Sequence, residues 1–119
     1  MPARARQHGQ VAEDIAAHFL QQQGLRILER NFRKPFGEID IIASEQETLV
    51  FAEVRKRSHQ RFADGAESIN YHKRQKLRRA AQAYLQQHRW RGPVRFDVLV
   101  LNAIDEIEWL QDAIHYEEY

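Results

Sequence analysis

No cysteine occurs in the 119 residues, which removes disulfides, thiolate zinc sites and cysteine nucleophiles together. Five glycines and three prolines are scattered along the chain, so no Pro/Gly/Ser-rich linker divides it, and no internal repeat is visible. One domain fits this length. No apolar run approaches the ~20 residues needed to span a bilayer. The basic start, Met1 to His8, is not followed by the apolar stretch of a secretory signal. A Walker loop, a dinucleotide fingerprint and a nucleophile elbow are all missing. With 43% hydrophobic and 29% charged residues, the composition is that of a compact cytoplasmic domain, with no membrane partner expected.

What is present is charge, sorted by sign behind a formal net of +1. From Arg55 to Arg91 eleven Lys and Arg face only Asp64 and Glu67, a local excess of +9. From Asp97 to Tyr119 there are seven acids and no Lys or Arg. A clustered basic field suggests a polyanionic partner. A solvated helix face balanced by an acidic one explains the same pattern equally well.

The periodicities predict an α/β order, α-β-β-β-α-β-(β). Residues 1–8 read as a flexible N-terminus and 9–119 as a single domain. Val11, Ile15 and Phe19 recur every four residues, predicting a helix over Gly9–Gln23 that Gly24 stops. Strands are expected at Leu25–Arg33, Glu38–Ala43 and Thr48–Arg57, joined by short turns as an antiparallel meander. Ser58–Gly65 reads as a loop. A second helix is expected from about Glu67 to His88, ended by Gly92-Pro93, and a buried strand over Arg95–Leu101. Ile107–Ile114 reads as an edge strand. A strand–helix–strand crossover makes the third and fourth strands parallel, within a mixed sheet.

The chemistry concentrates on two of these strands. Side chains alternate faces in an extended chain, so Glu38 and Asp40 share one face while Ile39 and Ile41 take the other. Likewise Glu53 and Arg55 share a face with Phe51. Acids within apolar strands are costly unless paired or bound to a cation. Asp40 and Glu53 on adjacent strands, with the Val54 carbonyl, could hold Mg²⁺ or Mn²⁺ through hard oxygen ligands. Arg55 could contact a phosphate bidentately; ordinary cross-strand ion pairing is the plainer alternative. Glu13 lies at the rim of the first helix's apolar stripe, and Asp14 beside it should face solvent. Lys73 is in register with Leu77 and either reaches a phosphate or snorkels from the helix rim. The six histidines lack ligand spacing, and Trp90 and Trp109 read as packing residues.

Several blocks together resemble the bacterial YraN family: Gly9…Glu13…Ala16, Gly24 to Arg33 with its Asn31-Phe32-Arg33, Gly37-Glu38-Ile39-Asp40, and Leu49 to Arg55. Lys73-Arg74 and Arg95-Phe96-Asp97 complete the likeness, which covers about residues 8 to 102. That family is similar to the PD-(D/E)xK nuclease superfamily, and particularly to archaeal Holliday-junction resolvases. The resemblance implies a restriction-endonuclease-like three-layer fold and a metal-dependent endonuclease acting on DNA phosphodiester bonds, including branched DNA. It places catalysis on Glu13, Asp40, Glu53 and Arg55, with the metal on Asp40 and Glu53. Lys73, Arg74, Arg78 and Arg79 would contact nucleic acid, DNA rather than RNA. Because resolvases need two active sites, a homodimer is the implied assembly.

One position departs from the pattern. The superfamily's usual lysine falls on Arg55, which stays protonated and cannot act as a general base, although it can anchor phosphate. Lys56 is on the opposite face. A nucleic-acid-binding module that kept the fold and lost the chemistry is therefore the alternative. A protein-interaction domain using the acidic C-terminal stretch is a third.

Overall fold

In the computed structural model, residues 8–57 and 70–114 are described. Seven elements follow one another: α1 (His8–Gln22), β1 (Arg26–Lys34), β2 (Gly37–Glu45), β3 (Thr48–Lys56), α2 (Tyr71–Gln87), β4 (Val94–Leu101) and β5 (Ile107–Leu110). The strands form one sheet in the order β1-β2-β3-β4-β5. β3 and β4 run parallel and every other neighbouring pair antiparallel, the mixed sheet that the crossover requires. No helix among the described residues is long and apolar enough to cross a membrane. The expected loop at Ser58–Gly65 and most of the expected flexible N-terminus lie outside the described residues.

Three layers result because successive strand residues serve different helices. Ala12, Ala16, Ala17 and Leu20 of α1 pack with Ile41, Ala43, Val50, Ala52, Leu99 and Leu101 on one face. Leu77, Ala80, Ala81 and Tyr84 of α2 pack with Ile39, Ile42, Phe51, Phe96, Val98 and Val100 on the other. Small alanines on both helices bring the helix axes close to the sheet. The edge-on contacts of Tyr84 with Phe32 and Phe51, at 5.3 and 5.8 Å, bind α2 to β1 and β3. Such aromatic pairs add about 1 kcal/mol each beyond area burial.

The helix ends show what the sequence signals meant. After α1, Gly24 takes a left-handed φ of 96°. Leu25 N–H donates to the Leu20 carbonyl and Gly24 N–H to that of Gln21, the Schellman pattern that a glycine favours. The expected start of α2 near Glu67 lies outside the described residues; α2 begins at Tyr71, where Asn70 is extended and its side chain accepts from Lys73 N–H at 2.9 Å. That cap fixes the first turn. α2 ends at Gln87, one residue from the expected His88: Arg89, at φ 53°, closes a second pattern of the same kind with Trp90 N–H on the Leu85 carbonyl. β5 stops at Leu110, short of Ile114. Asp112 is left-handed there, and its N–H turns back to Asp97.

Asp97 is a buried acid that the alternation in β4 passes over as one more core position. It is 1% exposed and accepts from Arg95 at 2.9 and 3.0 Å, from Trp109 Nε1 at 2.8 Å and from the Asp112 backbone at 2.9 Å. Arg95 also donates to Glu45 at 2.8 Å. A buried carboxylate is tolerable when so fully bonded, and this one ties the edge strand β5 to the sheet.

Candidate functional site

The expected alternation of β2 fails at one residue, and that residue is Asp40. Ile39 packs with α2, whereas Ile41, two residues on, packs with α1. The two isoleucines do not share a face. The β2–β3 ladder runs only from Glu45↔Thr48 to Ile41↔Ala52. Beyond it the strands part, and the Asp40 carboxylate enters the gap to accept the Val54 N–H at 2.9 Å. A side chain thus replaces a missing ladder carbonyl. It is the amide of Val54, not its carbonyl, that faces the acid here.

Glu53 keeps the expected face, beside Phe51, and is 4% exposed. The Asp40 carboxyl nearby is pushed up to about 7. Burial is the main cause and the neighbouring Glu53 charge the second; the Val54 N–H and Lys73 pull the other way. A buried carboxyl with a like charge nearby behaves in this manner. Lys73 Nζ lies 3.1 Å from Glu53, and the Arg55 guanidinium lies 3.6 Å away.

These acids form the floor of a cleft of about 400 Å³ between the β1–β2 turn and the first half of α2. Arg33, Lys34, Lys73 and Lys76 line it with Phe36, Gly37 and Glu38. The turn is held close to the helix. A Cβ on Gly37 would sit 2.2 Å from the Lys76 carbonyl oxygen, so only glycine fits.

Glu13 is buried, 7% exposed, but bound from another side. Arg30 donates to it at 3.2 Å and Asn31 at 3.0 Å, and Arg30 also reaches Asp14 at 2.7 Å. Asp14 is thus ion-paired and half-buried rather than simply solvated. Asn31 adopts φ 55° within β1, a conformation asparagine tolerates better than most residues, and its side chain is thereby turned to Glu13. Burial raises the Glu13 carboxyl first, and the Asp40 charge second, so the two acids feel each other.

Asp40 and Glu53 therefore line one cleft, with Lys73 and Arg55 against Glu53, while Glu13 is held by Arg30 and Asn31 and feels the Asp40 charge. Arg74 and Arg78 are half-buried with other interactions, and Arg79 is exposed; none of the three lines the cleft. Arg33, Lys34 and Lys76 do, and sequence reasoning did not single them out. Lys76 follows Lys73 by three residues on the helix, a spacing that puts both on one side. No such signal marks Arg33 and Lys34, which reach the cleft through the turn. Among the described residues no group of three or more His, Asp or Glu is arranged to hold a metal ion. The two carboxyls of the cleft are nevertheless hard oxygen donors of the kind that magnesium and manganese prefer. The raised Asp40 carboxyl marks a charge excess that a cation would relieve.

Comparison with known proteins gives a consistent kinship. A family model described as "Uncharacterised protein family UPF0102" matches residues 12–101. A UPF0102 protein of Nitrosomonas europaea is 49% identical over 107 residues, covering 88% of this chain and 91% of its own length. One from Shewanella amazonensis is 45% identical, with 88% and 96% covered. One from Nitrosococcus oceani is 44% identical over 121 residues, with 98% of each chain covered.

Proposed function

The chain belongs to the uncharacterised protein family UPF0102, which bears out the YraN resemblance, and from that premise we propose a metal-dependent endonuclease acting on DNA. One observation carries this reading: Asp40 and Glu53 line the same cleft as Arg33, Lys34, Lys73 and Lys76. Carboxylates below and cations around are what a phosphodiester needs, charge neutralisation at the phosphate and a place for a divalent ion beside it.

Asp40 and Glu53 would hold magnesium or manganese, which when bound supplies Lewis-acid polarisation and acidifies a water. The chain's own residues do the rest. Lys73 and Lys76 present ammonium groups to the phosphate oxygens. Arg55, fixed beside Glu53, orients that carboxylate and adds positive charge but takes no proton. Lys73, 3.1 Å from Glu53, supplies from α2 the amine that β3 lacks at position 55. Glu13, held by Arg30 and Asn31, sets the electrostatics behind Asp40.

A second reading, a nucleic-acid-binding module without turnover, draws on the same contacts. Lys73 and Arg55 already satisfy Glu53 and would compete with an incoming ion. Incubating the protein with single-stranded, duplex, flap and four-way DNA in Mn²⁺ separates the two. Asp40→Asn, which loses the anionic ligand, should lower cleavage at least a hundredfold. Equal cleavage by wild type and variant would remove the site from the chemistry, and binding without cleavage would favour the second reading.

A further inference from the structure

Phe36 stands in the two-residue turn between Lys34 and Gly37, is 41% exposed, and lines the cleft. Such turns ordinarily take polar residues or glycine, so a large aromatic held in water calls for another use. Its backbone has little room to swing aside. Gly37, the next residue, abuts the Lys76 carbonyl so closely that a Cβ would overlap it, which wedges the turn against α2. Lys34, the other end of the turn, lies over the Phe32 ring at 5.1 Å. A ring on a fixed turn, set among cations above a pair of acids, has the makeup of a groove for single-stranded nucleic acid. There bases stack on aromatic faces while cations follow the backbone. A cleft of about 400 Å³ is on the scale of a small-ligand site, whereas paired bases inside a duplex are stacked on one another and offer no free face.

We infer that Phe36 is a stacking platform for one unpaired base, and that the cleft therefore prefers single-stranded or locally unpaired nucleotides to intact duplex. The inference rests on the nucleic-acid reading of the site but not on turnover.

The test is anisotropy of a labelled 12-nucleotide single strand and of a hairpin duplex, at low salt without divalent metal, against wild type, Phe36→Ala and Phe36→Trp. Phe36→Ala should weaken the single strand about tenfold and the duplex less than twofold, and Phe36→Trp should restore the single-strand affinity. Equal weakening of both ligands, or no change in either, overturns the inference. Cleavage in Mn²⁺ is measured alongside. Phe36-dependent single-strand binding with no cleavage would keep the platform and discard the endonuclease. Cleavage of both DNA forms that is indifferent to Phe36→Ala would do the reverse. Failure to bind any nucleic acid discards both.

Discussion

At the scale of single residues, Asp40 is where fold and chemistry conflict. Its carboxyl, raised from 3.8 to about 7, keeps a proton in the folded chain that the unfolded chain releases near pH 4. Between these values the folded state binds the extra proton, so stability falls as pH rises from about 4 to about 7 and stays low above. Asparagine at this position can still accept from Val54 N–H and sets no negative charge beside Glu53. Asp40→Asn should therefore stabilise the protein by about 2 kcal/mol at pH 8, and by much less at pH 4. Urea denaturation at the two pH values checks this. A variant less stable at pH 8 would show that the Asp40–Glu53 contact is not repulsive. Gain of stability with loss of cleavage is the signature of a residue kept for function.

Among the elements, the β1–β2 hairpin and α2 form a unit whose spacing is set at Gly37. Its φ is not in the left-handed range, so space and not backbone freedom demands glycine. Gly37→Ala must displace the turn or the helix to clear the Lys76 carbonyl. Overpacking of this kind costs about 1–3 kcal/mol, and it should open the cleft and weaken DNA binding along with it. A thermal melt matching wild type with unchanged affinity would show that the turn yields freely. The turn was legible as Lys34-Pro35-Phe36-Gly37, but the reason for its glycine was not, because the contact joins residues 39 positions apart. The same limit hid the partners of Glu13. Arg30 and Asn31 sit in a strand whose alternation is imperfect, and only the left-handed Asn31 turns a β1 side chain to α1. Local rules did better where the cause is local. The Gly24 stop and the parallel β3–β4 pairing both follow from short-range geometry and chain connectivity. α2 ends within one residue of the expected His88, although the left-handed position there is taken by an arginine and not by a glycine.

For the molecule as a whole, the alternation of Ile, Val and Leu along β2, β3 and β4 was enough to give a sheet covered on both faces. Asp40 and Glu53 were legible because charge inside such strands is conspicuous, whereas Asp97 passed for one more core position. Basic residues were harder to place. The +9 between Arg55 and Arg91 pointed to α2, yet half of the cleft's cations come from β1, outside that segment. Net field and local rim are different things, and salt separates them. If Arg33, Lys34, Lys73 and Lys76 each meet a phosphate, log affinity for a single strand should fall with log salt at a slope of about −3, and Lys76→Ala should reduce its magnitude by about 0.7. The Arg33–Glu38 pair at 3.4 Å is well exposed and so is weak enough to exchange its partner for a phosphate. An unchanged slope in Lys76→Ala would move the binding surface away from the cleft.

The carboxylate that bridges to the Val54 amide leaves the middle of the sheet with a seam closed by a side chain. Whatever loads that acid, whether proton, metal or ligand, must also tug on the peptide unit next to it. Through β3 the disturbance reaches the strand that carries Glu53 and Arg55 themselves. Occupancy of the cleft and the cohesion of the central strands are, in this protein, two readings of one bond.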